Sequence, residues 1–131
     1  MKNADTDAKR VLVVEDEPSI GNMCRRVLTG EGWEVDIAIN GRLAQDMIEE
    51  KQYGLCLIDI RLPKMNGQEL FQWIQKRYPQ LSGRVIFTTG DIMSGDTEAF
   101  INQTGRPFLP KPFTAEELKE IFTETLKRLT K

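Results

Sequence analysis

Residues 11–18 read VLVVEDEP: four aliphatic residues, three consecutive acids and a proline. An apolar run this short, without polar alternation, is typical of a strand buried on both faces of a parallel sheet. Pro18 suits the first turn of a helix, because its missing N–H would have no intrahelical partner there. The stretch therefore predicts a buried strand, a turn that carries Glu15, Asp16 and Glu17, and a helix directly after it.

The same strand-then-helix pattern recurs along the chain. Further apolar runs lie at 33–38, 55–58, 85–87 and 107–109. Helical spacing follows each strand, and capping-box pairs stand at Asn66 with Glu69 and at Thr114 with Glu117. The fourth helix, before residue 105, has the weakest apolar pattern. Five strands alternating with five helices predict an α/β fold, a parallel sheet with helices on both faces.

The composition is that of one ordinary globular domain. The 131 residues carry a formal net charge of −2, which gives no basic surface for nucleic acid, and no apolar run is long enough for membrane insertion. We expect residues 1–9 to be a flexible N-terminus. Cys24 and Cys56 are isolated in the sequence, which predicts buried thiols in a reducing cytoplasm and neither disulfides nor a zinc site.

The chain contains no histidine. This excludes Ser-His-Asp and Cys-His catalysis, metal ligation by histidine, and a phosphohistidine formed within the chain. Any chemistry must therefore rely on carboxylates, hydroxyls and lysines.

The carboxyl ends of the predicted strands carry such side chains, and ligands of open parallel sheets bind at this edge. The first strand brings Glu15 and Asp16, the third Asp59, the fourth Thr89 and the fifth Lys111. Carboxylates this close raise one another's pKa unless a cation lies among them, and oxygen ligands suit Mg²⁺. The pattern predicts phosphoryl transfer onto Asp59, with the metal, Lys111 and the Thr89 hydroxyl each binding a phosphoryl oxygen.

The segments VLVVEDEP, LIDIRLPKMNG, VIFTTGD and FLPKPF resemble, in this order, the receiver domain of bacterial response regulators. The resemblance covers residues 10–129 and implies a single receiver domain over residues 10–131. It implies a CheY-like, flavodoxin-like (βα)5 fold, a doubly wound five-stranded parallel sheet with strand order 2-1-3-4-5. It also implies a cytoplasmic signalling switch, which catalyses only its own phosphorylation and autodephosphorylation.

The implied partners of such a switch are proteins. A histidine kinase or histidine phosphotransfer protein would donate the phosphoryl group, which accounts for a chain without histidine, and a downstream protein target would read the phosphorylated state. We expect no DNA-binding output domain. A free-standing regulator and the receiver module of a hybrid histidine kinase both fit the sequence.

The resemblance assigns the metal site residue by residue. Asp59 corresponds to the phosphoacceptor, and Asp16 to the acid that binds Mg²⁺ directly. Glu15 corresponds to the acid that holds metal-bound water, and the backbone carbonyl of Arg61 to the third protein ligand. Mn²⁺ is expected to substitute for Mg²⁺.

The remaining assignments concern the switch. Thr89 corresponds to the hydroxyl that moves toward the phosphoryl group, whereas Thr88 is expected to be structural. Lys111 corresponds to the lysine that pairs with acceptor and phosphate, and its peptide bond to Pro112 is expected to be cis. Phe108 corresponds to an aromatic residue that turns inward after the threonine has moved; a permanently buried core position is the alternative.

Two hypotheses extend this set. Arg61 and Asp91 are expected to pair across the mouth of the site and to tune the phosphoaspartate lifetime by restricting the attacking water. Ile20 and Met23, on the first helix, together with Pro112, are expected to dock the phosphodonor protein. The alternative for Ile20 and Met23 is a place in the core.

Rival classes fit the sequence less well. A flavodoxin-like FMN binder needs hydroxyls and glycines in its first loop, where this chain has acids that would repel a phosphate. A phosphatase of the haloacid dehalogenase type carries a DxD pattern after its first strand, which is absent here. A binding-only receiver is disfavoured by the set of Asp16, Asp59, Thr89 and Lys111.

Overall fold

The structure is a computed structural model that describes residues 9–90 and 95–129. These residues form five strands and six helices, with one helix after each strand except β3, which two helices follow. The strands are β1 (Arg10–Val14), β2 (Glu34–Ala38), β3 (Leu55–Asp59), β4 (Val85–Thr89) and β5 (Phe108–Pro110). The helices are α1 (Pro18–Gly30), α2 (Gly41–Glu50), α3 (Gly67–Arg77), α4 (Pro79–Ser82), α5 (Gly95–Thr104) and α6 (Ala115–Leu129).

The five strands form one parallel sheet in the order β2-β1-β3-β4-β5, which confirms the predicted doubly wound fold. The register places Val14 of β1 beside Ile58 of β3, and Asp59 beside Thr88 of β4. The ends of β1, β3 and β4 are therefore level with one another. Because all strands are parallel, the loops that follow them lie along the same edge of the sheet.

The core has two parts, one on each face of the sheet, because successive strand side chains point to opposite faces. Leu12 and Val14 of β1 belong to the first cluster, which α2, α3 and α5 cover. Val11 and Val13 belong to the second cluster, which α1 and α6 cover. The predicted apolar runs in β1, β3 and β4 are thus buried on both faces, as in other sheets of this architecture.

The helix starts follow the local signals in the sequence. Pro18 occupies the first turn of α1. Asn66 Oδ1 accepts a hydrogen bond from the Glu69 N–H at 2.9 Å, and Glu69 Oε1 accepts one from the Asn66 N–H at 3.1 Å. Thr114 and Glu117 make the same reciprocal pair ahead of α6. Both predicted capping boxes are confirmed.

Some features differ from the sequence-based expectations. The short helix α4 was not expected, since four residues are too few to show a helical period. Trp33 precedes β2 and is buried because its ring packs edge-on against Phe122, with centroids 5.5 Å apart. Leu43 has the helical spacing of the buried stripe of α2, but it is 43% exposed because Ala44 and Ile48 define the buried face.

Both cysteines are free and buried, as predicted. Burial raises the pKa of the Cys24 thiol to about 12, and the nearby Glu15 charge adds to this; burial raises the pKa of Cys56 to about 12 as well. None of the helices in the described ranges is long and apolar enough to cross a membrane. The expectation of a flexible N-terminus concerns mainly residues 1–8, which lie outside the described residues.

Candidate functional site

Three strand ends bring the predicted acids and lysine together. Glu15 directly follows β1, and its N–H donates to the Ala38 carbonyl at the end of β2 at 2.9 Å. Asp59 ends β3, and Lys111 directly follows β5. The side-chain oxygens of Glu15, Asp16 and Asp59 lie within 4.8 Å of one another. Glu15 and Asp59 are buried, whereas Asp16 is exposed, so the cluster reaches from the interior to the surface.

Lys111 lies between the two buried carboxylates. Its Nζ donates a hydrogen bond to Asp59 Oδ2 at 2.7 Å and forms an ion pair with Glu15 Oε1 at 2.9 Å. The other carboxylate oxygens accept hydrogen bonds from the backbone: Asp59 Oδ1 from the Arg61 N–H at 3.0 Å, and Glu15 Oε2 from the Glu17 N–H at 3.1 Å. Each carboxylate is thus held in place through both of its oxygens, as preorganised sites require.

The electrostatics of the site favour an additional positive charge. Burial raises the pKa of Glu15 to about 7 against the opposing hydrogen bond from Lys111, and the charge of Asp59 raises it further. Burial also raises the pKa of Asp59, despite hydrogen bonds from Lys111 and the Arg61 N–H. For Lys111, burial alone lowers the pKa, but hydrogen bonds and charges from Asp59 and Glu15 outweigh it, so its pKa is raised.

The residues present fit a hard divalent cation. The donor set consists of oxygens, which Mg²⁺ and Mn²⁺ prefer. Glu15 Oε1 is buried and its partner at 2.9 Å is the Lys111 ammonium, which Asp59 Oδ2 also binds, so one cation serves two buried carboxylates. Two carboxylates with raised pKa values are the expected state of an acidic cluster without a cation. Glu15, Asp16 and Asp59 could hold such an ion. That the Arg61 carbonyl is a further metal ligand stays a prediction.

The predicted switch residues border this cluster. Thr89 ends β4 and is buried, and its carbonyl accepts a hydrogen bond from the Lys111 N–H at 3.0 Å. The Lys111–Pro112 peptide bond is cis, as expected. Phe108 begins β5, pairs in register with Phe87 and is half-buried against the first cluster. This position contacts the core without being enclosed by it, and the switch role of Phe108 stays a prediction.

The other predicted residues are less closely tied to the cluster. Ile20 and Met23 are half-buried and pack against the second cluster, while Pro112 is exposed. Their docking roles stay predictions. Asp91 lies outside the described residues, so the proposed Arg61–Asp91 pair is untested.

Gly67 is a site residue that the sequence reasoning did not single out. Its N–H donates to the Ile60 carbonyl at 2.9 Å. A Cβ at Gly67 would lie 2.5 Å from the Asp59 carbonyl oxygen and 2.7 Å from Ile60 Cα, closer than real Cβ atoms approach. A glycine at the start of a helix was no signal by itself, because α2 and α5 also begin with glycine. Gly67 allows α3 to begin directly against the backbone of Asp59 and Ile60.

Comparisons with known proteins agree with this geometry. The family model described as response regulator receiver domain matches residues 11–123. The transcriptional regulatory protein TctD of Salmonella typhimurium is 30% identical over 119 residues, which cover 91% of this chain and 52% of that protein. The chain therefore spans about half the length of the curated relatives it matches.

Two solved structures extend the likeness to three dimensions. A CheY-like response regulator receiver domain protein from Methanospirillum hungatei JF-1 is 32% identical, covering 92% of this chain and 98% of that one, with a TM-score of 0.78. The signal receiver domain of a putative LuxO repressor protein from Vibrio parahaemolyticus is also 32% identical, covering 92% and 91%, with a TM-score of 0.78. The chain belongs to the response regulator receiver domain family, the phosphorylation-dependent switches of two-component signalling.

Proposed function

We propose that Asp59 accepts a phosphoryl group from a phosphohistidine and that residues 10–131 act as one receiver domain. The donor would be a histidine kinase or a histidine phosphotransfer protein. The observation that carries the proposal is the position of Lys111 Nζ, 2.7 Å from Asp59 Oδ2 and 2.9 Å from Glu15 Oε1. A buried acceptor that is oriented by an ammonium and by a backbone N–H is arranged for nucleophilic attack.

The transfer step conserves atoms and charge. An oxygen of the Asp59 carboxylate forms a bond to phosphorus as the P–N bond to the donor imidazole breaks. The imidazole nitrogen keeps the electron pair of that bond and takes up a proton. Lys111 would balance negative charge on the phosphoryl oxygens, and the Thr89 hydroxyl would donate a hydrogen bond to another of them. Autodephosphorylation is the attack of water on the same phosphorus, which returns the Asp59 carboxylate and releases inorganic phosphate.

We assign Glu15, Asp16 and Asp59, with the carbonyl of Arg61, to Mg²⁺ binding, and expect Mn²⁺ to substitute. When bound, the ion would supply positive charge that offsets the negative charge of the carboxylates and of the phosphoryl group. The support for this assignment is the 4.8 Å cluster of oxygens and the raised pKa values of Glu15 and Asp59.

The proposed partners on both sides of the switch are proteins. The phosphodonor must reach a carboxylate that is 3% exposed, so it must cover the sheet edge around Asp59. A downstream protein would read the phosphorylated state, and the net charge of −2 disfavours direct contact with nucleic acid. We place this exchange in the cytoplasm, where two free thiols such as Cys24 and Cys56 stay reduced. The proposal holds both for a free-standing regulator and for the receiver module of a hybrid histidine kinase.

The test is the intact mass of the protein after incubation with Mg²⁺ and acetyl phosphate. The wild type should gain one phosphoryl adduct, which Asp59→Asn abolishes and EDTA prevents. Asp46→Asn, a change of the same kind at an exposed position of α2, should keep the adduct. A wild type that binds Mg²⁺ without gaining an adduct would instead identify a binding-only receiver.

A further inference from the structure

The segment that follows the phosphoacceptor, residues 60–66, is a closed turn, which we call the acceptor loop. Its start and its end are joined by the hydrogen bond from the Gly67 N–H to the Ile60 carbonyl. Lys64 has a left-handed backbone with φ of 68°, and the Met65 N–H donates to the Pro63 carbonyl at 2.7 Å. Few backbone dihedrals can therefore change without moving the whole loop.

The first turn of α2 contacts this loop at Met65. Gly41 is the first residue of α2 and is buried. A Cβ at Gly41 would lie 2.5 Å from the Met65 carbonyl oxygen and 2.8 Å from Met65 Cβ. Contacts of a Cβ below 3.0 Å essentially do not occur, so any side chain here would displace backbone by about 0.5 Å (3.0 minus 2.5).

The acceptor loop is the more easily displaced partner in this contact. Helix α2 is held by its cap, in which Asn40 Oδ1 accepts from the Leu43 N–H at 2.9 Å. It is also held by Ala44 and Ile48, which are buried in the first cluster. The acceptor loop contacts the same cluster through Ile60, Leu62 and Met65, but its other four residues are exposed, whereas Ala44 and Ile48 of α2 are buried. A substitution at Gly41 should therefore move the loop rather than the helix.

We propose that Gly41 is a positioning residue for the phosphoacceptor. Because it has no side chain, α2 supports the acceptor loop at Met65 and thereby fixes the Arg61 N–H on Asp59 Oδ1, at 3.0 Å. The expected effect on the phosphorylation rate rests on the proposed function, whereas the contact between Gly41 and Met65 does not depend on it. Displacements well below 1 Å in such a site are enough to slow phosphoryl transfer, since the geometry of attack is preorganised.

The test compares Gly41→Ala with Gly95→Ala. Gly95 is also the first residue of a helix, and a Cβ there would meet nothing within 4 Å. In Gly41→Ala we expect phosphorylation by acetyl phosphate with Mg²⁺ to slow by about tenfold or more. The amide cross-peak of Arg61 in the ¹H–¹⁵N spectrum should shift in the metal-free protein. Gly95→Ala should match the wild type in both measurements, and far-UV circular dichroism reports whether each variant folds.

Met65→Gly approaches the same contact from the loop and is the second variant if Gly41→Ala does not fold. It removes Met65 Cβ and Cγ, which would lie 2.8 and 3.0 Å from a Cβ at Gly41, so the Arg61 cross-peak should shift and the rate should fall less than in Gly41→Ala. A folded Gly41→Ala, or failing that Met65→Gly, with wild-type rate and an unmoved Arg61 amide overturns the inference. A wild type that takes no phosphoryl group contradicts the proposed function instead, and the Arg61 amide still decides the role of Gly41.

Discussion

Glu15 and Asp59 share the ammonium group of Lys111, and each also accepts a hydrogen bond from the backbone N–H two residues further along the chain. The two carboxylates come from different strands and are nonetheless held in the same way. With Asp16 beside them, the cluster carries more negative charge than Lys111 neutralises when all three acids are ionised. This excess charge is the basis of the first two predictions.

Removing the ammonium group should destabilise the protein in a pH-dependent way. We expect Lys111→Met to lower the free energy of unfolding at pH 8 by about 3 kcal/mol, because two buried carboxylates lose their partner. At pH 6 the loss should be smaller, since the carboxyl groups can protonate. Urea unfolding at both pH values measures this. Lys119→Met is the control, because Lys119 forms a 3.8 Å pair with Glu116, which is exposed. Equal losses in the two variants would contradict the prediction.

The metal-free wild type should become less stable as the pH rises from 5 to 8. The pKa of Glu15 is about 7 in the folded protein and 4.5 when it is exposed. Between these values the folded state binds more protons than the unfolded state, so the free energy of unfolding falls as the pH increases. Thermal unfolding in EDTA should show this slope, and Glu15→Gln should flatten it. Added Mg²⁺ should restore stability at pH 8 by binding the folded state. A stability that rises with pH in EDTA would refute the assignment.

The same substitution should affect stability at Thr88 and phosphorylation at Thr89. The hydroxyl of Thr88 is buried without a hydrogen-bond partner in the described part of the chain. Thr88→Val should therefore raise the free energy of unfolding by roughly 1 kcal/mol and leave phosphorylation unchanged. Thr89→Val should slow phosphorylation by about tenfold or more, because it removes a proposed donor to the phosphoryl group. The mass assay and urea unfolding together check both variants. Slow phosphorylation of Thr88→Val with a wild-type rate in Thr89→Val would show that Thr88, and not Thr89, is the donor to the phosphoryl group.

The thiols should be unreactive in the folded protein. Because the pKa values of Cys24 and Cys56 are raised to about 12, almost no thiolate exists at pH 8. Both thiols should react with Ellman's reagent within minutes in 8 M urea, and at least about a hundredfold more slowly in native buffer. Fast labelling of the native protein would show that the core opens around these residues.

The sequence was sufficient for those parts of the fold and site that depend on local rules. VLVVEDEP predicts a doubly buried strand and a helix at Pro18, and the capping residues predict where α3 and α6 begin. The residues at the strand ends could be predicted because parallel strands bring their carboxyl ends to one edge. The roles of Gly41 and Gly67 could not, since each depends on how close the backbone of another segment comes, that of Met65 at Gly41 and that of Asp59 and Ile60 at Gly67. The exposure of Leu43 could not be predicted either, because helical spacing alone does not say where the buried stripe of α2 ends.

The sheet separates the residues predicted to dock the phosphodonor from the predicted switch residue Phe108. Phe108 packs with the first cluster, whereas Ile20 and Met23 pack with the second, on the opposite face. Under the prediction that Ile20 and Met23 dock the phosphodonor, substitutions around them would change donor recognition without repacking the side of the sheet where Phe108 lies. After gene duplication, a domain built this way would then acquire a new input while it keeps its old output, so related pathways would diverge one surface at a time.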